Sequence, residues 1–185
     1  FSGNSVLINP LSDLDPTTDY HVLVDGTAIS NAASTATFGG ISDPAALNFT
    51  TAADPIAGFT EDTAVFLSNG TLVIRDINTD SGDQLTIREN AGNIEIVDAG
   101  GLTINSSLIG GSTGSGTSSV SFAKTDITNG ILFESGNGTD VVTIESLDIT
   151  GGITSDAETT NLNGDIVVSG NVLVQGAAVL TGASS

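Results

Sequence analysis

The stretch LNGDIVVSGNVLVQGAAVLTG, residues Leu162 to Gly182, decides the fold. Short aliphatic runs alternate in it with glycine-containing turns at nearly constant spacing. This pattern is typical of a chain in which each β-rung stacks on the preceding one, because only small residues fit the corners between the faces. The stretch therefore predicts a β-solenoid, like a parallel β-helix, in the C-terminal part of the chain.

The same alternation of short apolar runs and polar turns extends back to residue 59. Strand-length apolar patches recur at short intervals, nearly every gap contains Gly, Asn, Asp or Ser, and no helical periodicity is present. Many short strands with tight polar corners favour a β-solenoid over residues 59–185, with a second β-sandwich as the alternative. The predicted strands are 64–67, 71–75, 84–88, 93–97, 102–105, 119–123, 131–133, 141–144, 147–150, 165–169, 171–174 and 177–180.

Residues 1–51 have a different pattern, although they are also expected to be all-β. Tyr20, Val22 and Val24 occupy alternate positions, which is the period of a strand with one buried face. Residues 52–58, AADPIAG, are small, contain a proline and show no alternation, so they are the expected linker. The predicted strands of this first part are 5–9, 19–26 and 46–51.

Two motifs in residues 1–51 resemble a known family of domains. LDPTTDYHVLVDG at residues 14–26 and LNFTT at residues 47–51 together resemble the C-terminal half of the Ig-like domains repeated in bacterial surface-layer proteins. The resemblance implies that residues 1–51 form part of an Ig-like β-sandwich. Most of the strands that precede this half in the family are missing. Either the chain was cut here, or another subunit supplies the strands by β-augmentation.

Further passages resemble repeats of large secreted proteins. Residues 162–182 are similar to the β-helix passages of filamentous-haemagglutinin-type and autotransporter adhesins. Residues 71–100 and 130–147 resemble a repeat of giant secreted bacterial proteins. These resemblances imply a structural role outside the cell, at a prokaryotic surface.

The charge balance excludes several classes of partner. The chain has 22 acidic residues, 3 basic residues and a formal net charge of -19. Affinity for nucleic acid comes from cationic side chains that release counterions from phosphates, so no nucleic-acid partner is expected. No apolar run approaches the roughly 20 residues that span a bilayer, so no membrane insertion is expected. Such an excess of negative charge destabilises a compact state unless salt screens it or bound cations neutralise it.

The composition also argues against catalysis. His21 is the only histidine and belongs to the alternating strand, where it is expected to face solvent rather than to act as a base. With one Tyr, no Trp and 3 basic residues, the chain lacks the aromatic platform and the cationic groups that carbohydrate-active enzymes use. We therefore expect no catalytic residues and no enzymatic activity.

Three acidic groups are candidate calcium sites. SGNGTDVVT at residues 135–143 resembles the haemolysin-type nonapeptide G-G-x-G-x-D-x-U-x, which binds Ca²⁺ between stacked rungs, with Ser135 in place of the first glycine. The resemblance implies a half-site at Asp140, with Asn137 in the same turn, and a complete site would need a neighbouring copy of the motif. The alternative is a plain β-turn with a solvent-facing Asp140.

The second group is DINTDSGD, which places Asp76, Asn78, Asp80 and Asp83 around an expected turn. An EF-hand is rejected, because Glu89 lies two residues beyond the required twelfth position and the flanking segments are strands. A looser oxygen-lined Ca²⁺ site remains as an interpretation. The third group, Asp13, Asp15 and Asp19, lies near the edge of the expected Ig-like domain. Its alternative is the capping of turn amides by Asp side chains.

These observations lead to three functional hypotheses. The first is a structural component of an extracellular surface assembly, such as a surface layer, fibre or adhesin stalk, that self-associates and is stabilised by Ca²⁺. Its expected partners are copies of itself, as a homo-oligomer or a polymer formed by strand donation, with other surface proteins or polysaccharide as further partners. The second is a ligand-binding adhesin that attaches cells to a surface. The third and least favoured is a carbohydrate-active solenoid enzyme.

Overall fold

The described residues of the computed structural model form an all-β protein. Their helical content is a single 3₁₀ turn at Lys124–Asp126, and no helix in the described part of the chain has the length and apolar character needed to cross a bilayer. The all-β class expected from the sequence is confirmed. The structure describes Pro10 and residues 14–30, 36–78 and 82–181.

The described residues contain short strands joined by turns. The strand predicted at residues 5–9 lies outside them. The strands are β1 (Asp19–His21), β2 (Asn48–Thr50), β3 (Thr63–Ser68), β4 (Thr71–Asp76), β5 (Gln84–Asn90), β6 (Asn93–Asp98), β7 (Ile104–Asn105), β8 (Ser119–Ala123), β9 (Ile131–Glu134), β10 (Val141–Ile149), β11 (Ile153–Ser155), β12 (Thr159–Val168), β13 (Val172–Val174) and β14 (Ala177–Thr181).

The chain divides into two units, Phe1–Ala57 and Gly58–Ser185. In the first unit, β1 and β2 form an antiparallel pair in which Tyr20 lies opposite Phe49. The two rings stack with their centroids 5.9 Å apart. β1 is shorter than the predicted strand 19–26, because regular pairing with β2 ends at His21. The Ig-like sandwich remains a prediction.

In the second unit the chain crosses regularly between two six-stranded sheets. The strand order is β13-β11-β9-β4-β3-β7 in one sheet and β14-β12-β10-β5-β6-β8 in the other. We call a consecutive pair of strands, one from each sheet, a rung. Rungs one to four are β4 with β5, β9 with β10, β11 with β12, and β13 with β14. The strands of successive rungs pair in parallel in both sheets.

The core lies between the two sheets and consists of columns of aliphatic side chains. Because the strands are parallel and in register, equivalent positions of successive rungs lie next to one another on the same face. Leu72, Ile131 and Ile153 form one such column, and Ile87 and Ile144 begin another. All five side chains are buried, so burial of these columns is the main apolar contribution to the stability of the unit.

Antiparallel strands cover the side of rung one that faces away from the other rungs. β3 pairs antiparallel with β4, and β6 pairs antiparallel with β5. The segment Ile109–Ser119 is tied to this end of the stack. Ile109 is buried in the core, and Thr113 forms a bridge with Ser121. An apolar side chain thus anchors this glycine-rich segment.

The largest differences from the expected strands concern β10, β11 and β12. The strands predicted at 141–144 and 147–150 form one strand, β10, with an irregularity at Ser146, whose φ is 34°. β11 is absent from the predicted strands, and β12 begins at Thr159 rather than at residue 165. In each case the additional residues pair with strands of both neighbouring rungs. The sequence of one strand alone does not show which other strands it pairs with.

We expect Ile144→Ala to lower the free energy of unfolding by about 2–5 kcal/mol, because it leaves a cavity in the middle of a buried column. Asp148→Ala, on the exposed face of the same strand, should change it by about 0.5 kcal/mol or less once salt screens surface charges. Urea denaturation of the two variants measures the difference. Equal effects would contradict the placement of the column in the core.

Candidate functional site

The corners that join the two strands of each rung stack into a column of acidic residues. The antiparallel strands β3 and β6, which we call the cap strands, add to this column. Thr63 of β3 pairs with Asp76, and Asp98 of β6 pairs with Leu85. The described corner residues are 77–78 with 82–83, 135–140, 156–158 and 175–176. We define the acidic column as Asp62, Asp76, Asp83, Asp98, Asp140, Asp156 and Glu158.

Besides Asp62, which accepts from the amide of Thr103 at 2.8 Å, four carboxylates of the acidic column accept hydrogen bonds from backbone amides of the adjacent layer. Hydrogen bonds to an ionised acceptor are stronger than those between neutral groups. Each of these bonds joins neighbouring layers, so the corner acids help to hold consecutive rungs together. The bonds run from Gln84 N to Asp98 (3.0 Å), from Asp83 N to Asp140 (2.8 Å), from Ser135 N to Asp156 (2.8 Å) and from Asp140 N to Glu158 (2.8 Å).

Four members of the column, Asp76, Asp83, Asp98 and Asp140, are buried. Asp76, Asp83 and Asp140 have carboxylate oxygens without a hydrogen-bond partner among the described residues, and we call them the buried trio. Their exposed fractions are 7%, 3% and 1%. Both carboxylate oxygens of Asp76, Oδ1 of Asp83 and Oδ2 of Asp140 are inaccessible to solvent and have no hydrogen-bond partner among the described residues. An ionised carboxylate that is buried without a partner costs on the order of several kcal/mol. The trio therefore requires protons or a cation to be stable.

The local sequence places Asp76 at an inward corner position. It is the last residue of β4, and the parallel registers put Ser135 and Ala157 at the same position of rungs two and three. Only rung one of these three has an acid there. Gly136 has a φ of 72°, and a Cβ on it would lie 2.9 Å from Oδ2 of Asp76. Glycine at 136 thus provides both the left-handed turn and the room for the carboxylate.

Asp83 and Asp140 stand immediately before β5 and β10, on adjacent rungs. The amide of Asp83 donates to Oδ1 of Asp140 at 2.8 Å, and the amide of Val141 donates to the carbonyl of Asp83 at 2.8 Å. The hydroxyl of Thr63 donates to Oδ2 of Asp83 at 3.1 Å. Each of the two carboxylates is thus held by one oxygen, while the other oxygen lacks a partner. Two candidate groups that are separate in the sequence meet at one corner of the fold.

The environment of the trio raises the pKa of each member. Burial raises the pKa of Asp76 to about 7, and the charges of Asp83 and Asp140 contribute. Burial also raises the pKa of Asp83 to about 6, with a contribution from Asp98, while the hydrogen bond from Thr63 lowers it. The pKa of Asp140 is raised by burial, although the amide of Asp83 opposes the rise. Without a cation, the trio therefore retains protons close to neutral pH.

The basic side chains of the chain are engaged by glutamates. Arg75 and Arg88 contact Glu134 and Glu95, with the pairs 2.5 Å and 2.8 Å apart. Lys124 donates to Glu89 at 2.8 Å. These are all three basic residues of the sequence, and each forms an ion pair with a glutamate outside the acidic column. The chain therefore brings no lysine or arginine of its own to neutralise the buried trio.

The other predicted site residues are not members of the trio. Asp13 and Asp80 lie outside the described residues. Asn137 is exposed, and the exposed Asn78 donates from Nδ2 to Asp62 at 3.4 Å. The interpretation of Asp140 as a solvent-facing turn residue is wrong, because the register of rung two turns it into the corner.

The third predicted group lies in the first unit. Asp15 and Asp19 are both exposed. The amide of Asp15 donates to the hydroxyl of Tyr20 at 2.9 Å, and the hydroxyl of Thr50 donates to Oδ1 of Asp19. One oxygen of Asp19 is thus already used by a neighbouring side chain. A calcium site at this group stays a prediction.

Sequence reasoning missed four members of the acidic column. These are Asp62, Asp98, Asp156 and Glu158. One signal was present: Asp83, Asp140 and Glu158 each stand directly before a strand, at stacked positions of three successive rungs. Finding it requires the strand register, which the isolated motifs do not provide.

The second feature of the unit is the end formed by β13 and β14, which we call the uncovered end rung. Both strands lie at the edge of their sheets in the described residues. Along the column of Ile87, Ile144, Leu162 and Leu180, the exposed fraction rises from 0% for the first two residues to 78% for Leu180. Val172, in the opposite sheet, is 42% exposed. Aliphatic side chains at core positions are therefore uncovered at this end.

Comparison of the chain with protein-family models, with curated proteins and with solved structures found no match in any of the three. Both features are therefore interpreted from their own geometry. In the described residues, no three His, Cys, Asp or Glu side chains already stand around one point as metal ligands. The oxygens of the buried trio are closed to solvent, so protons and small ions suit them better than an organic substrate does.

We expect the chelator-treated protein to lose stability as the pH rises from about 4 to 8. In the folded state Asp76 and Asp83 have pKa values of about 7 and 6, above the ordinary value of 3.8. The folded state then binds more protons than the unfolded state in this window, so the free energy of unfolding falls with rising pH. A tenfold difference in proton affinity is worth about 1.4 kcal/mol. The charges that face the trio are those of Asp62, Asp98, Asp156 and Glu158.

Urea denaturation at several pH values measures this dependence. Asp76→Asn should flatten the fall between pH 6 and 8, whereas Asp148→Asn, an exposed acid on β10, should leave it unchanged. The same slope in all three proteins would show that general charge repulsion, rather than the buried trio, determines the pH dependence.

Proposed function

We propose that the chain is a structural segment of an extracellular assembly at a prokaryotic surface, such as a surface layer, a fibre or an adhesin stalk. Two copies associate through the uncovered end rung. The observation that carries the proposal is the exposure of Leu180 and Val172 at positions whose counterparts in rungs one and two are buried. Exposed apolar patches of this kind mark interaction sites in soluble proteins.

On this proposal the second unit is a β-solenoid that acts as a stiff spacer. Parallel backbone ladders run through four rungs in both sheets, and each rung buries its aliphatic residues against its neighbours. Repetitive architectures of this type gain stability from the contacts between neighbouring repeats. They favour an extended scaffold over a concave catalytic centre.

The partner that we assign to the uncovered end rung is a second copy of the chain. Residues 166–181 contain no charged side chain, although the chain has a formal net charge of -19. The end rung is thus a face on which two copies can meet without bringing carboxylates together. The same surface on both copies gives a two-fold, self-complementary contact.

The opposite end of the stack supports the pairing geometry. There, the antiparallel strands β3 and β6 already cover the parallel strands of rung one. Two end rungs related by a two-fold axis would also meet as antiparallel strands. An antiparallel layer on a parallel rung is therefore an arrangement that this sequence already uses.

The proposed location rests on the surface charge and on the family resemblances. A net charge of -19 favours a saline or calcium-bearing medium, where counterions reduce self-repulsion. The resemblance of the first unit to surface-layer Ig-like domains and of the second unit to adhesin repeats supports the same location. Other surface proteins or polysaccharide are further partners of such an assembly.

Analytical ultracentrifugation over a range of concentrations tests the association. The wild-type protein is expected to shift from monomer to dimer as its concentration rises. Leu180→Glu should remain monomeric, because it places a charge in the apolar contact. Val167→Glu adds the same charge at a residue that is 56% exposed on the outward face of β12, and it should associate like the wild type.

Circular dichroism melting of Leu180→Glu checks that the variant is folded, which is expected for a side chain that is 78% exposed. A wild-type protein that stays monomeric at every concentration would overturn the self-association. Association that persists unchanged in Leu180→Glu would refute the proposed contact and favour strand donation by the first unit.

A further inference from the structure

We propose that the buried trio of Asp76, Asp83 and Asp140 binds one divalent cation, Ca²⁺, at the corner between rungs one and two. The ion would connect β4 and the start of β5 to the start of β10, and so fasten the first two parallel rungs to each other. This inference does not depend on association through the uncovered end rung, because the two features involve different residues and different rungs.

The unpartnered carboxylate oxygens carry the inference. Both oxygens of Asp76 and one oxygen each of Asp83 and Asp140 are closed to solvent and accept no hydrogen bond among the described residues. Ca²⁺ prefers carboxylate oxygens and tolerates irregular coordination geometry, whereas Mg²⁺ requires near-ideal octahedral geometry. The trio thus offers hard oxygen ligands that the protein itself does not use.

The rest of the acidic column supports this assignment by contrast. Asp98, Asp156 and Glu158 each accept an amide hydrogen bond from the neighbouring layer. Asp62 likewise accepts bonds from the amide and the hydroxyl of Thr103, at 2.8 Å and 2.9 Å. Acids that serve only to connect the rungs therefore have hydrogen-bond donors, whereas neither carboxylate oxygen of Asp76 has one among the described residues.

The anchoring of the three side chains indicates how they would come together on an ion. They do not already surround one point. Asp83 and Asp140 are each fixed by one oxygen, through Thr63 Oγ1 and the amide of Asp83, and present the other. Neither oxygen of Asp76 has a hydrogen-bond partner within bonding geometry among the described residues, and only the nearby amide of Asn78 favours its charged form. Binding would thus require adjustment mainly of Asp76.

Net charge makes a cation more suitable than protons above neutral pH. The three carboxylates carry up to three negative charges, and no lysine or arginine of the chain pairs with them. A divalent ion would offset two of these three charges at once. Ca²⁺ and protons therefore compete for the same oxygens, and ion binding should strengthen as the pH rises.

The test uses the full chain after treatment with a chelator. Isothermal titration with CaCl₂ at pH 8 should show one saturable site in the corner. At an ion concentration about a hundredfold above the dissociation constant, the melting temperature should rise by about 5–10 °C. The rise should be smaller at pH 5, where protons occupy the trio. NaCl at the same ionic strength should raise the melting temperature much less than CaCl₂ does.

Two variants separate ion binding from a structural role. Asp76→Asn removes a buried charge and keeps the side-chain shape, so the chelated variant should melt higher than the chelated wild type at pH 8. It should also lose the corner site and the calcium-dependent rise. Asp148→Asn, an exposed acid on β10, should retain both. Repeating the titration in the Leu180→Glu background tests the site without association, so failure of one proposal is distinguishable from failure of the other.

Three outcomes would overturn the ion site. One is the absence of any saturable calcium binding, with a pH dependence of melting that protons alone explain. Another is an equal rise in NaCl, which would indicate screening only. The third is an unchanged calcium response in Asp76→Asn, which would place the bound ion elsewhere.

Discussion

The hydrogen bond between a corner carboxylate and a backbone amide of the adjacent layer is the interaction on which the second unit depends. The chain has to pass from one sheet to the other within a few residues, and the corner amides do not all lie within a strand ladder. Asp140 and Glu158 satisfy such amides at the same stacked position, each reaching back to the rung before it. An ionised acceptor is well suited to this task, since its hydrogen bonds are stronger than neutral ones. The acidic column is therefore a structural element of the fold.

This solution has an electrostatic cost that accumulates along the column. Where each acid receives its own donor, the charge is compensated locally, as the lowered pKa of Glu158 beside the amide of Asp140 indicates. Between rungs one and two, Asp76, Asp83 and Asp140 meet with fewer donors than oxygens, and burial raises the pKa of all three. Proton binding and stacking are thus coupled at one corner, and on our proposal cation binding is coupled to them as well.

The sequence was informative where structure is local. Glycine-containing turns and aliphatic runs predicted the all-β class and most strands from β3 onward, because each signal lies within a few residues. It was uninformative where structure depends on register. Asp83 and Asp140 are 57 residues apart along the chain, so no local motif reveals that they share a corner. The exposure predicted for Asp140 was wrong for the same reason: whether a turn residue faces solvent depends on the rung stacked beside it. β11 escaped detection because its three residues become a strand only between β9 and β13.

The two ends of the stack differ in a way that follows from this arrangement. At rung one, the antiparallel cap strands end or begin at Asp62 and Asp98, and both acids find donors there. At rung four, the corner is Gln175 and Gly176, and only backbone bonds to Ser155 and Glu158 join it to rung three. The carboxylate ladder thus stops one rung before the end, at the point where the aliphatic column becomes exposed. Charge is concentrated where the rungs are already covered and is absent where a further layer can be added. An apolar, uncharged edge carries no electrostatic barrier to extension, whereas the acidic flank of the same unit resists lateral contact unless cations are present.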